Sequence, residues 1–232
     1  MKTTLLTLLV ATVWTTVVSQ QIQGEIRSHP KKAMDMVLMP FGLDHSISTG
    51  TVDKNGAFSI DLGSKDFQNV PQEVKSMFMS DLYFSFHFNC GDGDDFGENH
   101  DVPAARVDYV RLLQKDQWAG TVFLVSEEKL IPWLEDEAYN PAVVGKFWEV
   151  VYLEGDLKVN TSCTFPKFVD SDTNVEVTYA YQLDLKPGFN WVEYQIEEVH
   201  QTEEGQMASF PSKVNITNLS DPSEMLWIGK YY

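Results

Sequence analysis

Residues 21–62 read QIQGEIRSHPKKAMDMVLMPFGLDHSISTGTVDKNGAFSIDL, and this stretch decides the fold. Apolar side chains alternate with polar ones in four short segments, for example Phe58, Ile60 and Leu62 in the last. Residues 53–56, DKNG, have the composition of a tight turn between two strands. Because alternation interrupted by turns is typical of antiparallel β-structure, we predict four short strands here.

Short alternating segments separated by turns continue through the rest of the chain. Residues 81–89, DLYFSFHFN, place four apolar side chains on one face and predict a strand. Further strands are predicted at 104–113, 120–126, 146–152, 156–164, 174–183, 190–200 and 225–232. Residues 70–79 predict one or two helical turns, because Pro71 is tolerated early in a helix.

These elements predict an all-β protein of antiparallel β-sandwiches with one or two short helices. The predicted organisation is a signal peptide at 1–19, a small sandwich-like segment at 20–63 and a larger β-rich domain at 64–232.

The N-terminal residues MKTTLLTLLVATVWTTVVSQQ have the layout of a cleavable signal peptide. Lys2 supplies a positive charge, residues 5–18 are mostly apolar, and Val17 and Ser19 occupy positions −3 and −1 of a cut after Ser19. The alternative, a membrane anchor, needs roughly 20 apolar residues, and this stretch is shorter. We therefore expect an exported protein, periplasmic, cell-surface or extracellular, with no membrane span after cleavage.

The charge of the chain narrows the class of partner. The 232 residues carry a formal net charge of −17, with 34 acidic and 17 basic side chains. Nucleic acids and anionic membranes are polyanions, so both are disfavoured as partners.

The chain has two cysteines, Cys90 and Cys163. Exported proteins meet an oxidising compartment, where these two thiols could form a disulfide. Two cysteines cannot form a four-thiolate zinc site.

The first strands resemble those of carboxypeptidase-regulatory-like and transthyretin-like modules. The matching features are Gly24 in the first strand, the apolar second strand MVLMP, and the turn and strand DKNGAF at 53–58. The resemblance implies a small β-sandwich of an exported or cell-envelope bacterial protein without catalytic residues. The chain departs from the lipoprotein members because no cysteine precedes Cys90.

A glycine-rich acidic loop follows residue 90. It carries five carboxylates within a short span: Asp92, Asp94, Asp95, Glu98 and Asp101. Calcium takes several oxygen ligands at once, so this loop is the candidate metal site. The EF-hand pattern fails, because Phe96 and Pro103 occupy positions where ligands belong. The alternative is a solvated acidic loop without a site.

Two further sets of residues suggest other binding sites. His87, Cys90 and His100 with Asp101 could hold a transition metal, unless a disulfide consumes the thiol. Trp191 is the candidate for an exposed ring that stacks on a ligand.

No catalytic motif appears in the chain: it has no Gly-x-Ser-x-Gly elbow and no His-Glu-x-x-His helix. The function predicted first is a non-enzymatic binding or structural module of the cell envelope or extracellular space. The alternatives are a carbohydrate-binding protein and a hydrolase whose site is not visible in the sequence. Expected partners are a polysaccharide or another envelope protein, with no cofactor other than calcium.

Overall fold

The computed structural model describes residues 21–38, 48–62, 70–79, 82–90, 96–97, 101–107, 109–169, 173–202 and 207–232. Strands account for 57% of this structure and helices for 13%. The all-β class predicted from the alternating pattern is therefore confirmed.

The described part of the chain forms thirteen strands. In chain order they are β1 (Gln21–Arg27), β2 (Met34–Leu38), β3 (Ser48–Val52), β4 (Ala57–Asp61), β5 (Ala104–Val107), β6 (Val110–Gln114), β7 (Gln117–Val125), β8 (Gly145–Leu153), β9 (Leu157–Phe168), β10 (Asn174–Leu185), β11 (Gly188–His200), β12 (Phe210–Asn218) and β13 (Leu226–Tyr231).

Seven of these strands close into a barrel, in the order β1-β4-β3-β2-β6-β7-β13. The last strand, β13, completes the ring by pairing parallel to β1, with Ile26 opposite Trp227, and antiparallel to β7, with Trp227 opposite Leu124. The sandwich predicted from the strand rhythm is therefore wrong, because strands from the beginning, middle and end of the chain share one closed ring. Strands on both sides of Gly63 pair directly, as β2 does with β6.

The other six strands form an outer sheet in the order β5-β8-β11-β12-β10-β9. This sheet joins the barrel through a short pairing of Val125 in β7 with Phe147 in β8. Its neighbours run antiparallel except β10 and β12, which are parallel. Strand β9 lies at the free edge of this order and pairs along its whole length with β10.

Two hydrophobic cores follow from this arrangement. Met36 and Leu112 are fully buried in the barrel core, while Val151 and Tyr194 are fully buried in the core beneath the outer sheet. Strand β8 contributes to both cores, because alternate side chains of a strand point to opposite faces. Trp148 and Val150 therefore join the barrel core, and Phe147 and Val151 join the other.

The helices are short. They are α1 (Gln72–Phe78) and α2 (Ile131–Glu135), with one-turn 3-10 segments at Leu82–Ser85, Glu128–Leu130 and Pro222–Glu224. The helix predicted at 70–79 is confirmed by α1. No helix of the described residues is both long and apolar enough to cross a membrane.

The strand predicted at 81–89 is wrong, because Leu82–Ser85 forms a 3-10 turn. The alternation in this segment has another cause. Phe86 and Phe88 are buried in the core beneath the outer sheet, whereas Phe84 is 63% exposed. Their burial therefore comes from a turn lying on the core rather than from a β-ladder.

Candidate functional site

A cleft of about 790 Å³ opens beside the outer sheet, where the end of β9 approaches the start of β12. Six of its lining residues carry aromatic rings: Phe88, Trp133, Phe165, Phe168, Tyr179 and Phe210. The polar side chains of His87, Glu137 and Lys167 also line it. A concave surface of this size, mostly apolar with a few polar groups, is typical of a small-ligand site.

The alternation of β9 supplies one wall of the cleft. Cys163, Phe165 and Lys167 are partly buried, whereas the residues between them face solvent. Tyr179 in β10 pairs with Cys163 across the ladder, which places its ring beside that of Phe165 at 5.4 Å between centroids.

A disulfide between Cys90 and Cys163 ties the floor of the cleft to this wall, with 5.8 Å between the Cα atoms. Two hydrogen bonds position the same segment. The Tyr181 hydroxyl donates to the carbonyl oxygen of Phe88 at 2.7 Å, and the backbone N–H of His87 donates to the Tyr194 hydroxyl at 3.1 Å. The segment therefore has a defined place although it belongs to no strand.

A buried charge network lies beneath the cleft floor. Oε1 of Glu149 accepts a hydrogen bond from Nη2 of Arg106 at 2.6 Å and lies 2.9 Å from Nδ1 of His87. Arg106 comes from β5 and Glu149 from β8, which are neighbours in the sheet. Side-chain exposure is 6% for Glu149, 3% for His87 and 33% for Arg106, so the carboxylate and the imidazole are withdrawn from water.

Glu137 connects this network with the cleft. Its Oε1 lies 3.0 Å from Nε2 of His87, close enough for an ion pair but not aligned for a good hydrogen bond. Glu137 follows α2 and its side chain is 52% exposed. The imidazole thus lies between one buried carboxylate and one solvent-facing carboxylate.

Burial alone would raise the pKa of Glu149, but the adjacent Arg106 and His87 outweigh it and lower that pKa to about 2. Burial alone would lower the pKa of His87, but Glu149 and Glu137 outweigh burial and the repulsion of Arg106, so that pKa is raised above 6.5. Glu149 is therefore a carboxylate at neutral pH. A carboxylate can only accept, so Nδ1 of His87 donates to Glu149 when it carries a proton, whereas Nη2 of Arg106, which can only donate, lies 2.9 Å from the same nitrogen.

The network is incompletely paired. Among the described residues, neither Oε2 of Glu149 nor Nε of Arg106 has a hydrogen-bond partner. An unpaired buried polar atom costs about 1–3 kcal/mol, so these atoms lower the stability of the fold.

Lys167 is the third chargeable group of the cleft. Its Nζ lies 4.2 Å from the centroid of the Phe210 ring, in cation–π contact. Partial burial lowers its pKa, and the attraction of Glu137 offsets only part of that effect. No described carboxylate lies within ion-pair distance of its ammonium group.

The described lining of the cleft contains no hydroxyl or thiol nucleophile paired with its histidine. Among its described lining residues there is no serine, threonine or free thiol that could act as a nucleophile beside His87. The cleft can bury the apolar part of a ligand against the aromatic rings, and it can pair with a charged group of the ligand at its rim.

The structure describes only part of the metal site that was predicted from the sequence. Asp92, Asp94, Asp95 and Glu98 lie outside the described residues, and Asp101 lies in an exposed turn. Within the described ranges, no group of three or more His, Cys, Asp or Glu could hold a metal ion. His100 also lies outside those ranges, and the Cys90 sulfur is bonded to Cys163.

Trp191, the predicted stacking residue, is half-buried against the barrel core. Its ring meets Trp227 edge to face, with 6.0 Å between centroids. A ligand-stacking role for Trp191 stays a prediction.

Sequence reasoning missed most of the site. The sequence pattern points to none of Arg106, Glu137, Glu149 and Lys167 as members of a binding site, and it suggests His87 only as a metal ligand. One signal was present: Glu149 interrupts the apolar run FWEVVYL of β8, and a carboxylate at the centre of such a strand needs a buried partner. The partners themselves carry no comparable signal.

Compared with known proteins, the chain matches no family model, no curated protein and no solved structure.

Proposed function

We propose that this chain is an exported, non-enzymatic binding protein whose aromatic cleft holds one small ligand with an apolar body. The observation that carries the proposal is the cleft itself, about 790 Å³ in volume and lined by six aromatic side chains. Burying apolar ligand surface against such rings is favourable by roughly 25 cal/mol per Å².

The construction of the floor supports ligand binding. The Cys90–Cys163 disulfide and the hydrogen bonds at His87 and Phe88 hold the floor in one arrangement. A preformed site loses less conformational entropy when a ligand binds.

The disulfide also supports export. Such bonds persist in oxidising compartments and are rare in the cytosol. The apolar N-terminal segment predicted as a signal peptide is consistent with this location.

The experiment uses the neutral fluorescent probe phenylnaphthylamine, whose emission rises in apolar surroundings. We expect saturable binding at one site per chain. Ala138→Trp places bulk at an exposed position that lines the cleft, and should weaken binding at least about tenfold, since each 1.4 kcal/mol of lost binding free energy is a factor of ten.

The matched control is Val144→Trp, which places the same ring at a 52% exposed position outside the lining of this cleft. It should leave probe affinity unchanged. Equal binding by both variants would place the probe elsewhere and remove the support for this function.

A second candidate function, carbohydrate binding, is favoured by a different surface. Trp118 and Tyr232 are 58% and 69% exposed, and their rings meet edge to face beside a hollow of about 370 Å³. The Arg111 guanidinium lies 5.6 Å from the Trp118 ring centroid. Exposed aromatic faces beside charged hydrogen-bonding groups suit a sugar, which is apolar on its faces and polar at its edges.

The test of this candidate is a titration with a panel of neutral oligosaccharides followed by tryptophan fluorescence. Trp118→Ala should abolish the response, and Trp191→Phe should leave it intact. The opposite result would assign stacking to Trp191, and no response to any sugar would remove this candidate.

A further inference from the structure

We propose that the ligand of the aromatic cleft is a free anionic amphiphile, an apolar body bearing one carboxylate that pairs with the ammonium group of Lys167. This inference rests on the binding function proposed above and adds the charge and orientation of the ligand.

The balance of charges around the cleft points to an anion. Glu149 is paired with Arg106 in the buried network, and Glu137 is paired with His87. Both carboxylates thus have a basic partner within 3.0 Å. Lys167 contributes a further positive charge at the cleft, and no described carboxylate compensates it at ion-pair distance.

The placement of Lys167 makes that charge available to a ligand. The side chain is partly buried, and its Nζ lies over the Phe210 ring at 4.2 Å from the centroid. Burial lowers the pKa of this amine, and the attraction of Glu137 offsets only part of that effect. A carboxylate at this position would form a charge-assisted hydrogen bond, roughly twice as strong as a neutral one.

The aromatic lining next to Lys167 is suited to contact the apolar part of the ligand. Phe165 lies two residues away on the same face of β9, and Tyr179 and Phe88 continue the apolar surface, with 4.9 Å between their centroids. A ligand with its head at Lys167 therefore meets rings along its length.

The opposite assignment, a cationic ligand held by Glu137, is less favourable. Glu137 already lies against His87, and a second cation would compete with that contact. The net charge of −17 does favour cations at long range, but exposed charges are largely screened beyond about 8–10 Å at physiological salt. The contact at Lys167 therefore decides between the two.

The experiment compares two probes with the same body and different heads, dansyl-labelled undecanoic acid and the matching dansyl-labelled undecanol. The full chain should bind the acid roughly tenfold to a hundredfold more tightly than the alcohol, as expected for one charge-assisted hydrogen bond. Lys167→Met keeps an unbranched apolar side chain beside Phe210. It should remove the preference for the acid and leave alcohol affinity within about twofold, because the two heads then meet the same apolar wall.

Two control variants sharpen the comparison. Lys167→Arg should retain the preference, because it keeps the positive charge. Lys158→Met removes a lysine from the same strand outside the lining of the cleft, and should change neither affinity. Thermal unfolding of each variant verifies that it is folded.

Each remaining outcome has a defined meaning. Equal affinity of the full chain for acid and alcohol overturns the anionic assignment and leaves the binding function standing. Loss of both probes in Lys167→Met overturns it as well, because the lysine would then support the cleft rather than pair with the head. Binding of neither probe overturns the binding function itself. Capture by phosphatidylglycerol vesicles without binding of the monomeric acid overturns the choice of a free ligand.

Discussion

Nε2 of His87 lies 3.0 Å from Oε1 of Glu137, and this contact joins a buried charge network to the rim of an aromatic cleft. The imidazole is held from below by Glu149 and from the cleft side by Glu137. A change of charge at the rim of the cleft should therefore alter the pKa of the buried His87.

Replacing Glu137 should lower the pKa of His87. Glu137→Gln removes one of the two carboxylates that raise this pKa, and leaves burial and Arg106, which lower it. The measurement is an NMR pH titration of the imidazole Hε1 resonance. Glu128→Gln, at an exposed position outside the network, serves as the control and should leave the titration of His87 unchanged. An unchanged pKa in Glu137→Gln would contradict the contact.

Glu149 should make the protein lose stability in acid. Its folded pKa of about 2 lies below the ordinary value of 4.5, so its contribution is present above pH 4.5 and is lost as the pH falls towards 2. The gap corresponds to about 3 kcal/mol in the free energy of unfolding.

Urea unfolding at a series of pH values tests this directly. Glu149→Gln should be less stable at pH 6 by about 3–5 kcal/mol, because Arg106 keeps its charge without the carboxylate. Its loss of stability between pH 5 and pH 3 should also be smaller than in the unchanged chain. Equal acid slopes for both proteins would refute the assignment.

His87 should produce the opposite dependence at higher pH. Because its folded pKa is raised above 6.5, its contribution is fully present below pH 6.5 and is lost as the pH rises through the folded value. We expect the free energy of unfolding to fall as the pH rises above 6.5. In His87→Asn, measured by the same urea method, this fall should be smaller, whereas His200→Asn should retain it.

Reduction of the disulfide should destabilise the chain. Cys90 and Cys163 are separated by 73 residues, and cross-linking a loop of that length is worth about 4 kcal/mol by the chain-entropy relation. Urea unfolding with and without dithiothreitol measures the difference. The double variant Cys90→Ala/Cys163→Ala should match the reduced protein and should not respond to dithiothreitol.

Gly50 should tolerate no side chain in the barrel wall. A Cβ added there would overlap the carbonyl oxygen of Ser59 and the backbone of Ile60 in β4. Gly50→Ala should therefore lower stability by about 1–3 kcal/mol, as overpacking does. Gly155→Ala is the matched control, since its Cβ would meet Val102 at an ordinary distance of 3.5 Å. A similar small effect of both changes on the thermal midpoint would contradict the close approach.

Local pattern was sufficient for most strands and for the turn between β3 and β4. Alternation over five to nine residues reflects which side chains one strand buries. This pattern can be recognised from neighbouring positions in the sequence. In the turn, Asp53 accepts hydrogen bonds from the backbone of Asn55 and Ala57, and Gly56 adopts a φ of 93°. Each of these residues acts on neighbours a few positions away.

The alternating pattern of apolar side chains gave a wrong prediction where those side chains are buried by contacts other than strand pairing. Phe86 and Phe88 alternate as in a strand, yet their segment is held by Tyr181, Tyr194 and the disulfide rather than by a ladder. Strand β12 is not among the strands predicted from the sequence, although Phe210, Val214 and Ile216 alternate along it and are buried.

The sequence by itself determined that the chain is rich in short strands, that it has few helices, and that Glu149 interrupts an apolar strand. Only the tertiary structure decided that the strands close into a barrel and that His87, Arg106, Glu137 and Glu149 meet beneath a cleft. The physical reason is the range of the contacts. Closure depends on pairing Ile26 with Trp227, and the network joins β5, β8 and two loops, so its members become neighbours only when the sheet order places them together.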